Sequence, residues 1–127
     1  MKIGIYQFNP EWGKINKNLA QIEKNLKSAD KADLWILPEL CTTGYQFTSM
    51  SELDDLAEEF PGGETSQRIS KLSRKLETGI VIGVAEKYGD KYFNSAAVYE
   101  DGDYLGIYRK LHLFYEENKY FSPGDES

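Results

Sequence analysis

The chain has 127 residues, a formal net charge of −6, one cysteine and one histidine. The length suits one domain, and an acidic balance with no basic cluster longer than Arg109-Lys110 argues against nucleic acid, because phosphate neutralisation needs a basic face. One cysteine excludes a disulfide framework and a Cys-based zinc site, one histidine excludes a multi-His metal site, and no metal or cofactor is expected.

No apolar run approaches the roughly 20 residues that a transmembrane helix needs, so no membrane partner is expected. Met1-Lys2-Ile3-Gly4-Ile5 has one basic residue and too short an apolar run for a signal peptide. The cytoplasm is the default location.

Lys2 to Phe8 alternates and is rich in β-formers, which predicts a first strand ended by Asn9-Pro10. Ile15, Leu19, Ile22, Leu26 and Ala29 recur at helical spacing, which predicts one apolar stripe on a helix from Lys14 to Ala29. The four apolar residues Leu34 to Leu37 predict a strand buried on both faces, as in a parallel sheet covered by helices. Pro38 cannot donate to a ladder and should end it. The chain therefore opens β-α-β, with parallel strands and a right-handed crossover.

Ser51 to Glu59 is acidic and suits a short helix. Pro61-Gly62-Gly63 is a break, after which Thr65 or Ser66 is expected to cap a helix with Ile69, Leu72 and Leu76 facing inward. Gly79 is expected to end that helix. Ile80 to Lys87 predicts a central third strand. The turns Tyr88-Gly89-Asp90-Lys91 and Asp101-Gly102-Asp103 then separate strands at Tyr92 to Tyr99 and Tyr104 to Lys110, an antiparallel meander. The fold class is α/β with a mixed sheet.

Three stretches carry candidate chemistry. Glu39 stands at the carboxyl end of a buried strand, where α/β sheets place their ligands. It is a candidate general base, and a strand-end carboxylate facing water fits that stretch equally well. Lys110 also sits where a strand gives way to a loop, and alone it reads as a solvent-facing lysine. Glu116-Glu117, among Phe114, Tyr115, Tyr120 and Phe121, alone reads as a solvated acidic loop.

Taken together these stretches are more specific. Gln7 stands at the end of the first strand and Pro10 just after it. Leu37-Pro38-Glu39 precedes Thr43-Gly44-Tyr45, and Phe93-Asn94-Ser95-Ala96 lies in the fourth strand. Tyr108-Arg109-Lys110-Leu111-His112-Leu113-Phe114 and Phe121-Ser122-Pro123-Gly124-Asp125 complete the series. In order and spacing the chain resembles the nitrilase superfamily of carbon–nitrogen hydrolases, especially its amidase branches.

The resemblance implies a four-layer αββα sandwich, of which residues 1–127 form roughly the N-terminal half, incomplete at the C-terminus. It also implies a Glu-Lys-Cys triad. Glu39 matches the base, Lys110 the lysine, and Glu117 an additional glutamate near the site. Tyr45, His112 and Tyr115 are expected on the substrate side, with His112 orienting its loop by hydrogen bonding. The implied reaction is hydrolysis of a small amide, or of a nitrile, through a thioester, with release of ammonia. The implied partners are that substrate, a second copy of the chain, or the missing C-terminal half.

The family's nucleophilic cysteine falls beyond Ser127. Cys41 matches no nucleophile position and reads as a small packing residue, so this chain is expected to hold no nucleophile. An alternative reading is a non-catalytic binding or interaction module that keeps the nitrilase-like fold. A nucleotide-binding βαβ protein would need a Gly-rich loop after the first strand, where only Gly13 is present. A Ser-His-Asp triad would have to use His112 without any Gly-x-Ser-x-Gly elbow.

Overall fold

A computed structural model describes residues 1–113 and 119–125. The elements in chain order are β1 (Ile3–Ile5), α1 (Ile15–Ser28), β2 (Leu34–Ile36), α2 (Met50–Leu56), α3 (Glu64–Leu76), β3 (Gly79–Tyr88), β4 (Lys91–Glu100) and β5 (Asp103–Arg109). They form one mixed sheet in the order β1-β2-β3-β4-β5. β1, β2 and β3 run parallel, and β3, β4 and β5 form the antiparallel meander. β3 is central, as its uninterrupted β-branched start predicts.

Two amphipathic helices cover one face of the sheet. Leu19, Ile22 and Leu26 of α1 and Ile69 and Leu72 of α3 join Trp35, Leu37, Ile80, Ile82, Val84, Ala97 and Tyr99 in the main core. Each such large apolar side chain contributes about 1.5–3 kcal/mol on burial. An ion pair from Arg68 of α3 to Glu23 of α1, at 2.5 Å, ties the two helices together. A second cluster, Leu40, Phe47, Leu53, Ala85 and Phe121, fills the carboxyl end of the parallel strands.

The opposite face corrects one expectation. β2 is not covered on both sides: Trp35 and Leu37 are buried, whereas Ile36 is 39% exposed. Ile3 and Ile5 lie beside it at 53% and 68% exposure. An apolar run states what a strand would like on each face, and here helices meet only one of them.

Element boundaries also differ from the sequence reading, among them the end of α2 at Leu56 rather than Glu59. β1 shortens to Ile3–Ile5. Thr65 and Ser66 lie inside the first turn of α3 rather than capping it. The Glu58 carboxylate does that work, accepting from the Thr65 N–H at 2.9 Å and from the Thr65 hydroxyl. Gly79 opens β3 instead of closing α3, which ends at Glu77 in the left-handed conformation (φ 50°). Among the described residues no helix is long and apolar enough to cross a membrane.

Candidate active site

Strand alternation decides which residues meet at the open face. In the β3–β4–β5 register Gly83 pairs with Ala96, and Ala96 with Tyr108. These three positions face away from the helices. With Glu39, Asn94 and Lys110 they line a cavity of about 180 Å³ at the carboxyl end of the parallel strands. That volume is below the range of about 300–1,000 Å³ typical of small-molecule sites.

Glu39 and Lys110 approach each other across this cavity. Lys110 Nζ lies 3.0 Å from Glu39 Oε1; the lysine side chain is 20% exposed and the glutamate 52%. The two residues are 71 positions apart in sequence, and each is brought in by a backbone device.

Glu39 is positioned by contact with β3. The chain leaves β2 with Leu37 N–H donating to Val81 O at 2.9 Å, and returns with Cys41 N–H donating to Gly83 O at 3.1 Å. Between these bonds Pro38 and Glu39 lie directly over Gly83. A Cβ on Gly83 would stand 2.3 Å from Pro38 O and 2.5 Å from Glu39 Cα. Only glycine permits this approach. A lone glycine inside an apolar strand is the sequence signal for such contact.

Leu40 then takes a left-handed conformation (φ 47°) while buried. This single residue breaks the two-residue alternation of an extended chain. Glu39 turns outward, and Cys41 turns into the core with its thiol donating to Gly83 O at 3.5 Å. Burial pushes the Cys41 thiol up to about 12, so it holds no thiolate at neutral pH. The loop beyond is fixed by buried Asn18 of α1. Its amide donates to Thr42 O and Glu11 O, both at 2.9 Å, and accepts from Glu11 N–H at 2.8 Å.

Lys110 is held at both ends of its peptide unit. Its N–H donates to Asn94 O at 2.8 Å, and its carbonyl accepts from Gly124 N–H at 3.0 Å. The Ser122-Pro123-Gly124 stretch therefore passes against the end of β5, with Ser122 N–H donating to Tyr92 O of β4 at 2.7 Å. A Cβ on Gly124 would meet Arg109 Cβ and O at 2.6 Å, so glycine is again the residue that fits. The preceding residue, Arg109, points to the helix-covered face. Its guanidinium forms two bonds to buried Glu86, at 2.9 and 2.8 Å.

Glu39 and Lys110 are thus brought together. Tyr45 and His112 are exposed and neither lines the cavity; His112 makes no hydrogen bond among the described residues. Glu117 and Tyr115 lie outside the described residues. Gly83, Asn18 and Glu86 were not singled out in the sequence. No group of three or more His, Cys, Asp or Glu side chains is placed to hold a metal among the described residues.

The fold is thus an α/β unit whose mixed sheet carries a Glu–Lys pair at the carboxyl end of its parallel strands. The sequence profile of the carbon–nitrogen hydrolase family matches residues 2–127, and the chain belongs to that family. It is 42% identical to a nitrilase of Pyrococcus abyssi over an alignment of 127 positions that covers 98% of this chain and 48% of that protein. It is 34% identical to a 2-oxoglutaramate amidase of Bacillus subtilis, again over 98% of this chain and 48% of the relative. Among solved structures it resembles a carbon–nitrogen hydrolase of Helicobacter pylori, with a TM-score of 0.80 at 30% identity over 99% of this chain and 45% of that one. The chain spans about half the length of the curated relatives it matches.

Proposed function

We propose that Glu39 and Lys110 are the base and the oxyanion-stabilising cation of a carbon–nitrogen hydrolase whose nucleophilic cysteine is supplied from outside these 127 residues. The observation that carries this reading is the 3.0 Å approach of Lys110 Nζ to Glu39 Oε1 in a cavity at the strand ends. The names of the related nitrilase and amidase support the substrate class, a small amide or nitrile.

In the proposed reaction Glu39 accepts the proton of the incoming thiol, and the thiolate attacks the amide or nitrile carbon. The Lys110 ammonium stabilises the charge that develops on the amide oxygen, an effect of about 3–4 kcal/mol for one well-placed donor. From an amide, Glu39 returns its proton to the departing nitrogen and ammonia leaves; from a nitrile, the thioimidate formed first takes up one water and loses ammonia; in both cases a further water then hydrolyses the thioester and regenerates the thiol. Glu117 would assist near the site, and Tyr45, His112 and Tyr115 would contact substrate once the missing wall of the cavity is present.

Cys41 does not serve as the nucleophile in this account. Its thiol is buried and engaged with Gly83 O. The chain alone is therefore inactive, and its open apolar face, with Ile3, Ile5 and Ile36, is where the remainder of the domain or a second copy packs. The test is ammonia release from small amides and nitriles, by the chain alone and after mixing with the complementary half of a family member. Release only on mixing supports the proposal. No release under either condition favours the non-catalytic binding module.

A further inference from the structure

Behind the Glu39–Lys110 pair, on the helix-covered side of the sheet, a buried polar cluster joins the same strands. Glu86 of β3 is 1% exposed. Its Oε1 accepts from the Ser95 hydroxyl of β4 at 2.8 Å and from Arg109 Nε of β5 at 2.9 Å, and its Oε2 accepts from Arg109 Nη2 at 2.8 Å. The guanidinium lies over the rings of Phe93 and Tyr88, 4.3 and 4.6 Å from their centroids. One carboxylate therefore connects three adjacent strands.

Stability is a poor explanation for this arrangement. A buried ion pair often contributes little net stability against well-packed apolar residues, because desolvation offsets the attraction. What the cluster does supply is geometry. A fork of two N–H···O bonds fits one relative position of β3 and β5.

That position needs fixing. The β4–β5 ladder shifts register between Val98 and Tyr99, so the end of β5 is not held in step by its start. Beyond the irregularity Ser95 pairs with Arg109, and the next residue is Lys110. A slip of one residue would turn Lys110 to the helix-covered face and Arg109 toward the cavity. Glu39 lies over Gly83 of β3 and Lys110 follows β5, so the cluster bridges the same two strands, β3 and β5, from the opposite side of the sheet.

We propose that Glu86, Ser95 and Arg109 form a register lock that positions Lys110 against Glu39. Glu86 and Arg109 are positioning residues and take no part in the reaction. This inference rests on the reading of Glu39 and Lys110 as the reacting pair.

The test compares Glu86→Gln and Arg109→Lys with Glu39→Gln in the full 127-residue chain. Arg109→Lys keeps the charge and removes the fork. Two readouts are taken. One is the acylation rate of Lys110 by limiting acetic anhydride at pH 8, by peptide mass spectrometry, relative to exposed Lys27. The other is amide hydrogen exchange, at Lys110 on the far side of the irregularity and at Ile82 in central β3.

Breaking a partly exposed ion pair should raise the relative Lys110 rate by about threefold. The lock predicts this rise in Glu39→Gln, Glu86→Gln and Arg109→Lys alike. It also predicts faster exchange at Lys110 in the two lock variants, with Ile82 unchanged. A cluster that merely stabilises the fold would raise exchange at both amides together, and that result overturns the proposal. So does wild-type Lys110 behaviour in folded Glu86→Gln and Arg109→Lys. If those variants fail to fold, Ser95→Ala, which removes one of the three bonds, must show the same localised change in smaller degree. If Glu39→Gln leaves Lys110 acylation unchanged, the pair itself is refuted, and the exchange pattern still decides the lock.

Discussion

Gly83→Ala tests whether the Glu39 loop rests on β3 as described. The added methyl would lie 2.3 Å from Pro38 O and 2.5 Å from Glu39 Cα. Both atoms are backbone, so no side-chain rotation relieves the clash. Favourable contact begins near 3.5 Å, so the loop must lift by about 1 Å. Overpacking of this kind costs about 1–3 kcal/mol. For a chain of this length that corresponds to a fall in melting temperature of about 4–12 °C. Lifting Glu39 also draws its carboxylate away from Lys110. The assay is thermal unfolding by circular dichroism, with Gly62→Ala as control, since a Cβ there meets nothing within 4 Å. Gly62→Ala should be neutral or slightly stabilising. A Gly83→Ala melt within about 1 °C of wild type would be too small for this overlap and would refute the description of the loop.

Other outcomes follow from the same geometry. Asn18→Ala strands the Glu11 N–H and the Thr42 carbonyl that the Asn18 amide now satisfies, and should cost about 1–3 kcal/mol in chemical denaturation; an unchanged midpoint would show that the loop is held elsewhere. Cys41 should resist iodoacetamide at pH 8 in the folded chain and react on unfolding, because burial keeps its thiol protonated. The same burial makes the folded state bind the thiol proton more tightly than the unfolded state. Its stabilising contribution is therefore complete below about 9, the ordinary thiol value, and is lost as pH rises toward about 12. Denaturation midpoints that stay flat over that range in wild type, relative to Cys41→Ala, would contradict it. Replacing Ile5 and Ile36 with lysine on the open face should reduce self-association in sedimentation velocity while leaving the fold intact; a wild-type chain that is already monomeric at high concentration would contradict a role for this face in packing.

Much of the fold was legible because its elements are locally consistent. The Leu19-Ile22-Leu26 stripe, the break at Pro61 and the turns at Gly89 and Gly102 all occur where spacing and turn chemistry place them. What escaped the sequence depends on partners far along the chain. Thr65 looks like a helix cap until Glu58 arrives from outside the helix to cap it instead. The run Leu34 to Leu37 shows that β2 is apolar, and says nothing about which of its faces a helix reaches. Within the site, Glu39 and Lys110 emerged from their places at strand ends and from the family's motif order. Gly83 carries that site without any chemistry of its own, and its importance appears only once Pro38 and Glu39 cross above it. Cys41 shows the converse: extended spacing would put it beside Glu39, and one left-handed residue, Leu40, sends it into the core.

On the reading proposed above, Glu39 and Lys110 contribute a base and a cation, and this chain no nucleophile, to a carbon–nitrogen hydrolase site. The most direct measurement is ammonia release from a small amide by the chain mixed with the complementary half of a family member, repeated with Glu39→Gln, Lys110→Ala and Cys41→Ser. The expected result is no release by the chain alone, release on mixing, loss of that release with Glu39→Gln or Lys110→Ala, and its retention with Cys41→Ser. Release by the unmixed chain that disappears with Cys41→Ser would contradict it.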